Sequence, residues 1–485
     1  LNRLAIAHYV GQLFIILAAF LVAPLALSIY DHTTPATVAY GVSLVISLGL
    51  GFLLRYMGTK LPELRIMRRD AFGIVSFGWI GIGILAAIPF YLEGSIPRFS
   101  SCLFESISGL TTTGATVISD IEGLSRATHL WRVLLHWIGG MGIVVLFVAI
   151  FPHIGVGGKH LFKSEVAGPT SEGLKPRIKH TALRLWWLYV TLTGVCAVLL
   201  FLVGFPIFDA FCHALSTLST GGFSTKASSV GAFDNPAAEW IIISFMFFGA
   251  ANFGLYYGAF HGKFESLYRN IELRAFFFIN AFVSLFIFFC TTGISGHNWI
   301  EEYRDILFQT LSVTTTTGLM TDDFDLYPVV GKFLLFLCMF IGGCAGSTAG
   351  GIKVSRVLIL IKRSFQEMRL FLNPHEVFAT KLGKQKIRPG IINSIFIFVA
   401  LFIIIYLVGV FLMLLLGHGL LTAATSVIAC LSSIGPGFGP VGPTQNYEFI
   451  HPLGKIILCF FMIAGRLEIF VLLSILTPSF WRRGL

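Results

Sequence analysis

Long apolar runs alternate with short polar stretches along this chain, and the alternation has a period. Two apolar runs come first, Leu4–Tyr30 and Thr37–Leu54. One arrangement then occurs four times: an apolar run, a shorter mixed segment, a stretch of small and hydroxyl residues ending in glycine, a polar loop, and a second apolar run. The paired apolar runs are Phe72–Leu92 with Leu130–Phe151, Leu183–Phe205 with Trp240–Phe260, Ala275–Thr292 with Phe333–Ile361, and Ile391–Leu416 with Ile456–Leu476. The shorter segments between them are Phe99–Leu110, Phe208–Leu218, Tyr303–Val313 and Leu420–Leu431. At 1.5 Å of rise per residue, each long run can cross a hydrocarbon layer of about 30 Å. The shorter segments cannot, which predicts re-entrant half-helices. The first run is also longer than the roughly 7–15 apolar residues of a signal-peptide core.

The glycine-ended stretches set the pattern: Ser108–Gly114, Ser216–Gly222, Ser312–Gly318 and Ala429–Gly435, the last the most degenerate. Their closing glycines fall about one hundred residues apart, too far for a solenoid repeat. One Thr-Thr-Thr-Gly is a common helix end or turn. Four copies in register, each behind a short helix between two spans, form a stronger signal. Irregular backbone at membrane depth is tolerated only where it is buried in protein or lines water. Four such strips therefore predict one shared cavity. Consecutive carbonyls can replace the hydration shell of a cation, and glycine reaches the backbone angles that turn them to one side. The candidate carbonyl ligands are those of Thr112, Thr113 and Gly114, of Thr220, Gly221 and Gly222, of Thr316, Thr317 and Gly318, and of Ser433, Ile434 and Gly435. Each short helix also points its partially negative C-terminal end inward. No acidic residue occurs in the strips, which leans toward a monovalent cation over calcium, a carboxylate-seeking ion.

Composition narrows the class. Of 485 residues, 55% are hydrophobic and 12% charged, against about 25% charged in soluble domains. This is an integral membrane protein. The net charge of +10 is no sign of nucleic-acid binding, because the basic residues sit in loops between the repeated units. Arg55, Lys60, Arg65, Arg68 and Arg69 precede the first unit; Lys159, Lys163, Lys175, Arg177 and Lys179 follow it. Loops within units carry Glu93, Asp120, Glu122, Asp234, Glu239, Glu301, Glu302, Asp322, Asp323 and Asp325 instead. By the positive-inside rule this predicts about ten spans with both termini cytoplasmic and every strip toward the outer face. The expected organisation is an N-terminal two-span hairpin over 1–69, then repeats over 70–155, 156–270, 271–389 and 390–485. The eight cysteines lack paired spacing. Neither an activated nucleophile nor a metal-binding motif appears, so no enzyme activity is expected.

With its four units of span, pore helix, strip and span on one chain, the sequence resembles the Trk/Ktr/HKT superfamily of potassium transporters. The two extra N-terminal spans and FKSEVAGPTSEGLKPRIKHTA, Phe162–Ala182, resemble its bacterial TrkH branch. The resemblance implies an all-α membrane fold with pseudo-four-fold symmetry around one pore, in the bacterial inner membrane. It implies potassium as the ion at the strips, since Gly114 stands where sodium-preferring members carry serine, with rubidium also permeant. A homodimer and a cytoplasmic nucleotide-binding regulatory partner of the TrkA type are further implications of the resemblance.

Two features suggest a gate. Five glycines between Gly342 and Gly351 interrupt the second span of unit three, at about 1 kcal/mol each against alanine in a helix. Close helix packing is one explanation. The position below the third strip, and the intramembrane loop of the resembled family, favour a gate over Gly346, Ser347, Thr348, Ala349, Gly350 and Gly351. The glycine spacing imitates a phosphate loop, but Lys353 comes one residue late and no strand precedes it. Arg466 lies inside an apolar run, where a charge is costly and usually functional. It is expected to face the pore, as the matching arginine does in the resembled family, with an ion pair to Glu468 as the structural alternative. Asn252 is expected either to line the cavity or to bond between helices. Glu105, Asp209 and His213 are expected as anchors behind the strips. A coupled secondary transporter would usually show inverted repeats, whereas these units share one orientation.

Overall fold

The computed structural model describes all residues except 59–67, 141, 143–177, 261, 263, 292–297, 376–379, 384, 388 and 482–485. The expected stretch 162–182 and much of the basic linker after unit one lie largely outside the described residues. The described chain is almost entirely helical, apart from a two-residue antiparallel pair, Lys381–Leu382 with Gln385–Lys386.

The N-terminal hairpin is α1 (Arg3–Tyr30) and α2 (Thr34–Gly58). Asn2 caps α1 by accepting from the Ala5 amide at 3.1 Å, a standard N-terminal closure. The hairpin leans on unit one, where Tyr40 Oη and Thr128 Oγ1 are 3.0 Å apart and Arg126 pairs with Asp31 at 3.1 Å.

The four units follow. Their first spans are α3 (Arg68–Glu93), α6 (Ile178–Leu202), α10 (Ile271–Thr291) and α14 (Pro389–Leu415). Their pore helices are α4 (Phe99–Leu110), α7 (Ile207–Ser219), α11 (Trp299–Thr314) and α15 (Leu420–Leu431). At 12, 13, 16 and 12 residues they are too short to span, as the sequence predicts. Two of these ranges coincide with the expected ones; the others gain a residue or more at each end.

The second spans differ from expectation. Units two and four carry continuous apolar runs, yet both are broken. In unit two, α8 (Pro236–Ala250) and α9 (Phe253–Phe260) meet at a bend of 99°. In unit four, α16 (Pro452–Arg466) and α17 (Ile469–Leu476) meet at 120°. Unit three is divided, as expected from its glycines, into α12 (Val329–Ile341) and α13 (Val354–Leu372). In unit one, α5 covers Arg126–Gly140, and of the expected run beyond it, to Phe151, all but Gly142 lies outside the described residues.

The bends have identifiable causes. A break in a helix frees carbonyls, and at membrane depth these must find donors. In unit two the donors come from unit three: the Cys344 amide reaches Ala250 O at 2.9 Å, and the Phe253 amide reaches back to Gly346 O at 3.2 Å. In unit four, Glu468 has φ 58° and pairs with Arg356 of α13 at 2.7 Å. Arg356 also lies over the Phe398 ring at 4.0 Å. Six described helices are long and apolar enough to cross a membrane, and the two bent pairs make eight.

Candidate functional site

All four pore helices close in the same way. The Thr113 amide donates to Ser108 O at 2.9 Å and the Thr112 amide to Gly109 O at 3.1 Å. The same pair of bonds joins Gly221 to Ser216 and Thr220 to Thr217, Thr317 to Ser312 and Thr316 to Val313, and Ile434 to Ala429 and Ser433 to Cys430. This is a Schellman closure, whose left-handed residue is ordinarily glycine. Here that residue is Thr112, Thr220, Thr316 or Ser433, with φ of 55°, 55°, 57° and 57°. Side chains with a Cβ avoid this region, at a cost of about 1–3 kcal/mol. The same outlier recurs in every unit. Thr220 Oγ1 donates to Ser219 O at 2.6 Å, and Thr316 Oγ1 accepts the Gly350 amide at 2.7 Å. Thr112 Oγ1 and Ser433 Oγ are buried with no hydrogen-bond partner among the described residues.

Two residues further on, Gly114, Gly222, Gly318 and Gly435 have φ of 78°, 87°, 77° and 97°. A Cβ on Gly114 would stand 2.2 Å from Gly221 O. On Gly222 it would stand 2.3 Å from Thr317 O, on Gly318 2.2 Å from Ile434 O, and on Gly435 2.6 Å from Thr113 O. Each strip therefore presses its glycine against a carbonyl of the next, in the order one, two, three, four and back to one. Only a closed ring has that cyclic order. All four glycines also line one vestibule, together with Arg132, Lys226, Asn446 and Tyr447.

A second layer holds the chain as it leaves each strip. Nine residues before the strip glycine stand Glu105, His213 and Gln309 in the first three units. Glu105 accepts the Val117 amide at 3.0 Å and pairs with Arg132 at 2.9 Å, both fully buried. His213 Nε2 lies 2.9 Å from Ser224 Oγ, and Asp209 accepts from Thr225 Oγ1 at 2.6 Å. Gln309 donates to Thr321 Oγ1 at 3.3 Å. In unit four Thr425 accepts the Phe438 amide at 3.1 Å, and Tyr447 Oη donates to Gly435 O at 2.7 Å. Sequence reasoning missed Gln309, Thr425 and Tyr447; the fixed offset from the glycine could have found Gln309.

The loop between α12 and α13 crosses the side of this ring away from the vestibule. Thr348 Oγ1 donates to Gly249 O at 2.9 Å and Leu218 O at 3.2 Å, both in unit two. The Gly350 amide reaches Thr316 of unit three, and a Cβ on Gly350 would stand 2.0 Å from Ser432 O of unit four. Glu272 receives the amides of Ala345 at 2.7 Å and Ser355 at 3.0 Å, fixing both ends of the loop. Ser347 closes a turn onto Cys344 O at 2.6 Å. Lys353, with φ 83°, donates to Ala349 O, and Gly346 and Gly351 have φ of 75° and 76°.

Arg466 completes the crossing. It donates to Thr348 O at 2.7 Å, to Gly140 O at 2.8 Å and to Gly139 O. One guanidinium thus ties unit four to the loop of unit three and to the second span of unit one. Glu468, the expected structural alternative as its partner, pairs with Arg356 at 2.7 Å. Packing explains why unit four can deliver a side chain here. A Cβ on Gly139 would stand 1.8 Å from Leu110 O, and one on Gly465 1.9 Å from Leu431 O. Both glycines pack on the last residue of their own pore helix, so Arg466 occupies the place that Gly140 occupies in unit one. Asn252 Oδ1 accepts the Gly254 amide at 2.8 Å, capping α9 and packing against Gly346 of the loop.

Fold and site together define a multi-span membrane transport protein built from four pore units on one chain. A family model described as TrkH, a cation transport protein, matches residues 43–480. The chain belongs to that family. It is 36% identical over 485 residues to the Trk system potassium uptake protein TrkH of Salmonella typhimurium, with 99% of each chain covered. It is 36% identical over 427 residues to the Trk system potassium uptake protein TrkG of Escherichia coli, covering 87% of this chain and 88% of that one. The crystal structure of the potassium transporter TrkH from Vibrio parahaemolyticus superposes with a TM-score of 0.89 at 34% identity, covering 99% of this chain and 100% of that chain.

Proposed function

We propose that this protein takes up potassium across the bacterial inner membrane, both termini cytoplasmic, through a filter of backbone carbonyls at the four strips. The observation that carries the proposal is the closed ring in which each strip glycine abuts a carbonyl of the next. Carbonyl oxygens converging from four strips can replace a cation's hydration shell. The strips contain no carboxylate, which suits a monovalent ion, and the relatives, potassium uptake proteins, point to potassium. Rubidium passes by the same chemistry. Inward movement is driven by the membrane potential, about 2.3 kcal/mol per charge per 100 mV.

The loop over Gly346, Ser347, Thr348, Ala349, Gly350 and Gly351 is the gate, and Arg466 is its latch. Their bonds to units one, two and four support this role, because displacing the loop means breaking all of them together. The protein works as a homodimer, and a cytoplasmic nucleotide-binding regulatory subunit of the TrkA type controls the opening of the loop.

The test is rubidium influx into vesicles holding the purified protein, with no proton or sodium gradient. Influx that saturates, is suppressed by potassium far better than by sodium, and rises in Arg466→Ala is the expected result. Influx that requires a proton or sodium gradient would replace this proposal with a cation-coupled secondary transporter.

A further inference from the structure

We infer that the carbonyls of Gly139, Gly140 and Thr348 form a monovalent-cation site below the filter, which Arg466 fills in this conformation as a tethered substitute for the permeant ion. The inference rests on the gate role proposed above and adds what the latch competes with.

Three carbonyls from two different units converge on one guanidinium. Two belong to α5, and a backbone carbonyl turns the negative end of its dipole toward a cation. The third belongs to the loop, whose next carbonyl, Ala349 O, takes the Lys353 ammonium. The carboxylate nearest in sequence, Glu468, is paired with Arg356. All three of these Arg466 guanidinium contacts are to backbone carbonyls, the ligand type that the strips above it offer. A guanidinium is a weakly hydrated monovalent cation, and a carbonyl cluster that suits it also suits a dehydrating alkali ion.

Register strengthens the argument. Gly139 packs on Leu110 O as Gly465 packs on Leu431 O, so Arg466 and Gly140 are equivalent positions of units four and one. At one level of the pore, unit one offers carbonyls and unit four offers a charge that fills them. When Arg466 withdraws, three carbonyls lose the guanidinium that they hold here, which is costly unless something replaces it. An ion leaving the filter is the available replacement. Arg466 and the permeant ion then exclude each other, and each weakens the other's hold by the same factor. Permeant ion on the filter side thereby favours the unlatched loop.

The test is anomalous diffraction from crystals of the full-length protein grown in rubidium, wild type against Arg466→Ala, with rubidium flux measured on the same preparations. A rubidium peak coordinated by Gly139 O, Gly140 O and Thr348 O in the variant, absent from the wild type, is expected, together with a flux increase of about tenfold or more. Filter peaks and raised flux without a peak at these carbonyls would overturn the site and leave the gate role standing. Unchanged flux would instead remove the gate role. Should alanine prevent folding, Arg466→Gln supplies the functional arm. Wild-type flux should rise more steeply than linearly with filter-side rubidium, and the glutamine variant should lose that steepness. Equal steepness in both would refute the competition.

Discussion

Gly222→Ala is the sharpest test of the carbonyl ring. The new methyl would stand 2.3 Å from Thr317 O, and real contacts of that kind stay beyond about 3.0 Å. The oxygen or the second strip must therefore move by roughly 0.7 Å, more than the ~0.5 Å within which a binding constellation stays productive. Thr317 has little room to retreat. Its amide is tied to Ser312 O at 2.9 Å and its hydroxyl lies 2.7 Å from that of Thr315. Alanine at φ 87° adds about 1–2 kcal/mol of backbone strain. A drop of tenfold or more in rubidium preference over sodium is expected, equivalent to about 1.4 kcal/mol. Competition by sodium for rubidium influx into vesicles measures it. Gly94→Ala is the control: its φ is 80°, but nothing lies within 4 Å of the added methyl. It should lower thermal stability by the strain alone and leave ion preference untouched. A folded Gly222→Ala protein with wild-type discrimination would refute the claim that these packed carbonyls select the ion.

Three further outcomes are expected. Arg132→Ala leaves Glu105 buried without its cation and should cost about 3–5 kcal/mol, read as a fall in detergent-solubilised melting temperature. Replacing both Arg132 and Glu105 by leucine should recover part of it. Tyr447→Phe removes the donor to Gly435 O, worth about 1 kcal/mol, and should weaken rubidium preference modestly while the fold persists. Thr348→Val keeps the side-chain shape but removes the hydroxyl bonded to Gly249 O and Leu218 O; basal rubidium flux should rise several-fold, and unchanged flux would argue against the loop as the barrier.

Much of this molecule could be read from its residues in order. Apolar length marks the spans, because crossing the bilayer depends on a segment's own composition. The pore helices declare themselves by being too short, and the strips by repeating. Other features could not be read this way. The runs Trp240–Phe260 and Ile456–Leu476 look like unbroken spans, yet both bend. What stabilises the bends comes from far along the chain: Cys344 and Gly346 for one, Arg356 for the other. That Asn252 caps the helix after the bend could not be read from its place in an apolar run.

The chain on its own determined that four equivalent units exist and which glycine ends each of them, since hydrophobic period and backbone preference are local properties. Tertiary structure alone decided how the units close into a ring, with Gly114 against Gly221 and Gly435 against Thr113. It also decided where the charge of Arg466 rests, on carbonyls more than three hundred residues away in sequence. A buried donor takes whichever acceptor the assembled fold brings within reach, and in a membrane interior no water offers it another.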